Sequence, residues 1–175
     1  RKRWKLPSAP QGPKPVVVGA GPAGLFAAIT LAEAGLAPII FERGKPVEDR
    51  GRDVSQLYSR GSLNRESNVC YGEGGAGTYS DGKLYTRVTD ERIERFMRLL
   101  VQHGADRDIL INNRPHLGTD KLVTLLKSIR AYLTSLGAEF RFSTAVDDLL
   151  IRDQKLTGLK LRDGESVDAR QVILA

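Results

Sequence analysis

A glycine-rich turn between an apolar run and a helical pattern limits the folds that this sequence can adopt. Val16–Val18 is a β-branched run typical of a buried parallel strand, and Pro22–Ala34 has apolar residues at helical spacing. The turn between them, here called the glycine turn, reads Gly19-Ala20-Gly21-Pro22-Ala23-Gly24. Ile39–Phe41 predicts a second buried strand. Together they predict a βαβ unit within an α/β fold that has a parallel sheet and is Rossmann-like.

The spacing within the glycine turn predicts a dinucleotide site. Gly19 permits a tight turn, Gly21 lets the backbone approach a pyrophosphate, and Gly24 permits close packing of helix and strand. Pro22 at the first helical position gives up only an unpaired donor. Glu42 lies 18 residues after Gly24, at the end of the second strand, where a carboxylate accepts hydrogen bonds from ribose hydroxyls. NAD and FAD both present ADP to such a turn, so the motif does not separate them.

The rest of the chain predicts further helices and strands. A helix is expected from Thr89 or Asp90 to His103, and a second from Thr119 to a stop at Gly137. Residues 43–88 show weak periodicity and predict a long functional loop. Alternation predicts strands at 140–142, 146–151, 156–161 and 165–169, which form a β-meander, and at 171–175. The last strand lacks the turn that it should feed, so we expect a domain truncated at its C-terminus.

A second glycine-rich stretch, here called the glycine segment, runs from Gly72 to Gly82 with five glycines in eleven positions. A loop so poor in side chains lets backbone amides approach a ligand. It is not a Walker-type phosphate loop, because Leu84 rather than Ser or Thr follows Lys83.

Five stretches carry a family resemblance: VVVGAGPAGLFAAITLAEAG, FERG, SNVCYGEGGAGTYSDGKL, RPHLGTDKL and the closing VILA. They resemble bacterial NAD(P)/FAD-dependent oxidoreductases, an FAD-dependent dehydrogenase family among the glutathione-reductase-like flavoproteins with two dinucleotide-binding domains. The resemblance covers residues 16–175 and implies a partial, Rossmann-like FAD-binding domain over that range.

The resemblance implies a role for each matching residue. Gly19, Ala20, Gly21, Pro22, Ala23 and Gly24 would hold the FAD pyrophosphate, and Glu42 would bind the adenosine ribose with Arg43 beside it. Gly74, Gly75, Ala76 and Gly77 would lie along the ribityl and flavin end, and the Val146 backbone would meet the adenine. NAD(P) is the implied electron partner. The regions of the same enzyme that flank this piece would complete the site, so we expect the piece to be inactive alone.

No catalytic residue is identified, because in a flavoenzyme the flavin ring carries the redox chemistry. Candidates for contact with flavin or substrate are Ser80, Asp81, Lys83, Arg114 and His116. Cys70 has no CxxC partner, which disfavours a disulfide-redox enzyme, and we expect it to be buried and inert. His103 is expected to complement a helix dipole. One cysteine and two histidines predict no metal site.

The net charge of +6 is concentrated at the start of the chain. Residues 1–15 hold five of the 27 basic residues and none of the 21 acidic ones, which leaves +1 for the rest. Their four prolines predict a basic, Pro-rich linker. A nucleic-acid partner is therefore not expected. No apolar run is long enough to span a membrane, and the composition favours a cytoplasmic setting.

Three functions remain open. The leading one is hydride or electron transfer between FAD and an unidentified small-molecule substrate. The second is an NAD-binding dehydrogenase domain that uses the same glycine turn. The third, suggested by the basic linker, is a non-catalytic or RNA-modification-associated FAD-binding factor.

Overall fold

A computed structural model describes residues 12–80, 82–84, 88–112 and 114–175. Its helices are α1 (Pro22–Glu33), α2 (Val47–Arg60), α3 (Arg92–Gln102) and α4 (Thr119–Ser135). Its strands are β1 (Val16–Val18), β2 (Ile39–Phe41), β3 (Glu139–Arg141), β4 (Val146–Arg152), β5 (Lys155–Leu161), β6 (Ser166–Asp168) and β7 (Val172–Leu174). Two 3₁₀ turns cover Ala76–Tyr79 and Arg107–Leu110.

The chain forms two compact units. Unit 1 ends at Gly44 and resumes at Leu133, and unit 2 comprises Lys45–Tyr132. The prediction of one domain over residues 16–175 does not anticipate this division, and it stays a prediction.

Unit 1 contains a four-stranded sheet in the order β3-β2-β1-β7, in which every neighbouring pair is parallel. Val17 pairs with Ile40 on one side and with Ile173 on the other. Strands β4, β5 and β6 form a separate antiparallel meander. The predicted Rossmann-like fold with a parallel sheet and a β-meander is confirmed.

A buried apolar cluster joins the two sheets of unit 1. Its fully buried members come from β1, β2, β5 and the end of the meander: Val16, Phe41, Leu159, Leu161 and Ala169. Helix α1 ends as its sequence predicts. Gly35 adopts φ +79°, and the Leu36 N–H donates to the Leu31 carbonyl, which closes the helix with a Schellman motif.

Unit 2 contains α2, α3 and most of α4, together with the glycine segment. Helix α2 corrects one expectation, because it lies inside residues 43–88, where a long loop was predicted. It begins after Pro46, has Glu48 and Asp49 in its first turn, and ends at Gly61 in the left-handed region at φ +65°. The predicted helices before Gly104 and Gly137 are confirmed to within a few residues.

Candidate functional site

Two glycines of the glycine turn are required by the fold of unit 1. Gly19 adopts φ +103°, and a Cβ on it would lie 2.4 Å from the Ala175 carbonyl oxygen. A Cβ on Gly24 would lie 1.9 Å from the Gly19 carbonyl oxygen. Contacts this short leave no room for a side chain. These two positions therefore set how closely α1 and β7 approach the turn.

Gly21 differs, because no residue in the described part of the chain requires glycine there. Its φ is −73°, which any residue adopts, and a Cβ on it would meet nothing within 4 Å. It caps α1, whose first turn has no acidic residue and no side-chain cap, and Pro22 follows it. Open space above a helix N-terminus, where N–H groups point outward, suits a phosphate group.

The carboxylate of Glu42 is held beside this turn by two backbone N–H groups. Its side chain is buried at the end of β2. Oε2 accepts a hydrogen bond from the Ala20 N–H and Oε1 accepts one from the Gly44 N–H, each at 2.8 Å. The first bond joins the acid directly to the glycine turn, so the structure brings these two predicted features together. Each carboxylate oxygen keeps further acceptor capacity for a ribose hydroxyl.

Arg43 and Val146 each lie within two residues of a backbone hydrogen bond in unit 1 that joins Glu42 to Thr144. Arg43 is half-buried and follows Glu42. The Glu42 carbonyl accepts a hydrogen bond from the Thr144 N–H at 3.0 Å, and Val146 follows two residues later as the first residue of β4. The predicted roles of Arg43 and Val146 toward an adenosine stay predictions.

The glycine segment belongs to unit 2. A Cβ on Gly74 would lie 2.3 Å from Thr78 Oγ1 and 2.4 Å from Leu126 Cδ1, so this glycine is enclosed by protein. Gly75 adopts φ +65°. Ala76 and Gly77 are exposed, and space above Gly77 is open. The segment therefore has an enclosed side and an open side, and the predicted ligand contacts of Gly74–Gly77 stay predictions.

Sequence reasoning missed two buried charged residues here, Glu73 within the segment and Arg50 on α2. Arg50 and Glu73 are both fully buried. Glu73 Oε2 accepts hydrogen bonds from the Val47 N–H at 2.8 Å and from Arg130 at 3.1 Å. Arg130 also contacts Glu48 at 2.6 Å. Burial raises the pKa of Glu48, but its backbone hydrogen bond and Arg130 outweigh burial and leave that pKa lowered.

The other sequence candidates are distributed through unit 2. Ser80 Oγ donates to the Gly77 carbonyl at 2.9 Å, and Lys83 pairs with His116 in an isolated antiparallel bridge. Arg114 is exposed. Asp81 lies outside the described residues. No catalytic role is tested for any of them.

Two further expectations change. Cys70 is exposed, not buried, because it lies on the irregular stretch after α2. His103 is the C-cap residue of α3, but it is buried, with Nδ1 3.1 Å from Ser128 Oγ and its ring 5.2 Å from that of Tyr132. Packing against α4 therefore adds to any interaction with the helix dipole. Within the described ranges, no three His, Cys, Asp or Glu residues are grouped as a metal site would need.

Residues 14–64 match the model of a family described as FAD binding domain. The match contains the glycine turn, Glu42 and Arg43, and it indicates FAD as the cofactor. The resemblance to FAD-dependent flavoproteins is confirmed.

Two protein relatives extend the comparison. An uncharacterised protein of Clostridium beijerinckii is 42% identical over 162 residues, which make up 93% of this chain and 30% of that protein. Protein FixC of Salmonella typhi is 26% identical over 165 residues, which make up 91% of this chain and 35% of that protein. The chain thus spans about a third of the length of these relatives.

Solved structures share the fold. A 3-ketosteroid-Δ4-(5α)-dehydrogenase from Rhodococcus jostii, in complex with 4-androstene-3,17-dione, matches 92% of this chain and 45% of its own, with a TM-score of 0.54 and 17% identity. An oxidised steroid monooxygenase bound to NADP matches 93% of this chain and 25% of its own, with a TM-score of 0.53 and 19% identity. Among the described residues, no helix combines the length and apolarity needed to cross a membrane.

Proposed function

We propose that this chain is the FAD-binding part of a flavin-dependent oxidoreductase, in which hydride or electrons pass between FAD and a small-molecule substrate. The observation that carries the proposal is the open space at Gly21. None of the described residues requires glycine there, whereas Gly19 and Gly24 are required by packing. A glycine at an unobstructed helix N-terminus fits a backbone that a pyrophosphate approaches closely.

In this proposal the glycine turn and Glu42 bind different parts of the dinucleotide. The N-terminus of α1 supplies N–H donors and the positive end of a helix dipole to the pyrophosphate. Glu42 accepts hydrogen bonds from the adenosine ribose while its own bonds to Ala20 and Gly44 hold its orientation. FAD, when bound, supplies the redox chemistry of its ring, and the protein binds and orients it.

The wider assignments are also part of the proposal. Gly74–Gly77 would contact the ribityl and flavin end, Arg43 and the Val146 backbone would contact the adenosine, and NAD(P) would serve as electron partner. Regions of the longer protein would contribute the substrate site. The single cysteine supports a reducing, cytoplasmic setting, which fractionation of cells that express the tagged protein would test.

The first experiment is cofactor uptake by the whole protein that contains this chain. The purified protein should carry a flavin absorption spectrum, and its apoprotein should bind FAD more tightly than NAD in parallel titrations. A colourless protein that takes up no FAD contradicts the proposal. Preferential binding of NAD would instead favour a simple NAD-binding dehydrogenase.

Glu42→Gln tests the ribose assignment. The substitution keeps the side-chain size and one of the two backbone hydrogen bonds, but it removes the charge and turns the amide NH2 toward the other N–H group. FAD affinity should fall by about tenfold, and urea unfolding of the same sample measures the smaller loss of stability that comes with it. Glu42→Ala is a poorer test, because it leaves the buried Ala20 and Gly44 N–H groups unpaired and should also destabilise the fold, by about 1–3 kcal/mol. Unchanged FAD affinity in Glu42→Gln, measured by titration, would remove the assigned role.

A further inference from the structure

We propose that Arg50 is a positioning residue that holds the glycine segment in its ligand-binding shape before the ligand arrives. This rests on the proposed function, in which Gly74–Gly77 contact the FAD. Arg50 itself is fully buried within unit 2, and its role would be exerted through the backbone of residues 68–73.

The guanidinium of Arg50 donates hydrogen bonds to backbone carbonyl groups of the irregular stretch 68–73. Nε donates to the Asn68 carbonyl at 2.8 Å, Nη2 to Val69 at 3.0 Å, and Nη1 to Glu73 at 2.8 Å and to Gly72 at 3.4 Å. Arginine suits this task because its donors have a fixed planar arrangement. The carbonyls of Asn68, Val69 and Glu73 are thereby directed at one side chain, while the Gly72 carbonyl also accepts a hydrogen bond from the Gly75 N–H at 2.9 Å.

The glycine segment is shaped to admit this side chain. Gly72 adopts φ +120°, and a Cβ there would lie 2.5 Å from Arg50 Cδ. On another side, the guanidinium carbon of Arg50 lies 5.0 Å from the centre of the Tyr79 ring, and Tyr79 ends the 3₁₀ turn of the segment. Arg50 therefore contacts the chain both before and after Gly74–Gly77.

The consequence is a difference between the two sides of the segment. Gly72, Glu73 and Gly74 are buried, while Ala76 and Gly77 are exposed. Ordering several backbone residues on binding costs free energy for each residue, so a segment held in advance by its buried side binds more tightly. The buried fork of Arg50 is the group best placed to supply that order.

The test uses the whole protein with Arg50→Lys, and with Arg52→Lys as a matched control on the exposed face of the same helix. Lysine keeps the positive charge but loses the planar fork. We expect Arg50→Lys to weaken FAD binding by about tenfold and to make the bound-flavin spectrum resemble that of free flavin. ADP, a probe of the glycine turn alone, should bind both variants within about twofold of wild type.

Three outcomes would overturn the role of Arg50. One is wild-type FAD affinity in Arg50→Lys, and another is an equal loss of FAD and ADP binding in an Arg50→Lys protein whose circular dichroism matches that of wild type. The third comes from hydrogen exchange of the wild-type apoprotein and decides the matter even if Arg50→Lys does not fold. Slow exchange across residues 68–77 without FAD supports the proposal, and fast exchange that slows only with FAD contradicts it. A wild-type protein that binds no FAD would instead overturn the proposed function.

Discussion

Single glycines of one turn serve separable purposes. Gly24 lies where a Cβ would collide with the Gly19 carbonyl oxygen, whereas a Cβ on Gly21 would enter empty space. The sequence motif predicts different roles for these glycines, and the structure shows that packing requires Gly24 whereas the described residues leave the space at Gly21 open. Substitutions to alanine can therefore separate folding from binding within a few residues.

We expect Gly21→Ala to fold with nearly wild-type stability and to lose FAD affinity by about tenfold or more, because the added methyl group occupies the path of the pyrophosphate. Its φ of −73° is compatible with alanine, so no strain is added. Titration of the apoprotein with FAD and urea unfolding of the same samples measure the two effects.

Gly24→Ala is the matched comparison, and it should lower the free energy of unfolding by about 2 kcal/mol or more, because the Gly19 carbonyl must move. If Gly21→Ala unfolded as readily as Gly24→Ala, or if it bound FAD normally, the division between the two glycines would be wrong.

Whole elements show where sequence patterns succeed and where they fail. Helices α3 and α4 are predictable because apolar residues recur at three- and four-residue spacing and glycines follow them. Helix α2 is not predicted by apolar spacing, because its buried residues are Arg50 and Asp53 as well as Val47 and Val54. Periodicity of apolar residues cannot reveal a face built from buried charges. The flanking Pro46 and Gly61 were the local signals available.

Asp53 gives α2 a pH-dependent contribution to stability. It accepts a hydrogen bond from Lys45 at 2.8 Å. Burial raises the pKa of Asp53, but the hydrogen bond from Lys45 and the positive charge of that side chain oppose burial, and the pKa is lower in the folded chain than in the unfolded chain. The folded state then binds fewer protons in acid, and the contribution is present above the unfolded pKa of about 4 and lost as pH falls below it.

Asp53→Asn should therefore cost about 1 kcal/mol at pH 7, since the Lys45 side chain is partly exposed to solvent. The difference from wild type should shrink when urea unfolding is repeated at about pH 3, where the wild-type carboxylate is becoming protonated. An identical difference at both pH values would show that the ionised form of Asp53 does not stabilise the fold.

Local sequence patterns predict some features of the whole molecule, such as its parallel sheet, but not its long-range strand pairing or its division into two units. The parallel sheet follows from short β-branched runs on either side of the glycine turn. The pairing of β2 with β3 does not follow from such local runs. Phe41 pairs with Arg141, and all of unit 2 lies between these two residues in the sequence. Contacts so distant along the chain leave no local signal. For the same reason, the predicted single domain gave no sign of the two units.

The distribution of charge determines which residues of this chain would bind nucleic acid. Most of the excess positive charge comes from five residues, Arg1, Lys2, Arg3, Lys5 and Lys14. The net charge of the remaining residues together is only +1. Any binding of single-stranded RNA by this 175-residue chain should therefore come from these five residues. The slope of log K against log salt should not exceed about 3.5 in magnitude, and replacing all five by serine should abolish binding. Fluorescence anisotropy at several salt concentrations measures both quantities, with circular dichroism as a check of folding. A steeper salt dependence, or RNA binding that persists after the five substitutions, would indicate a basic surface outside residues 1–15. Such a result would favour an RNA-associated role.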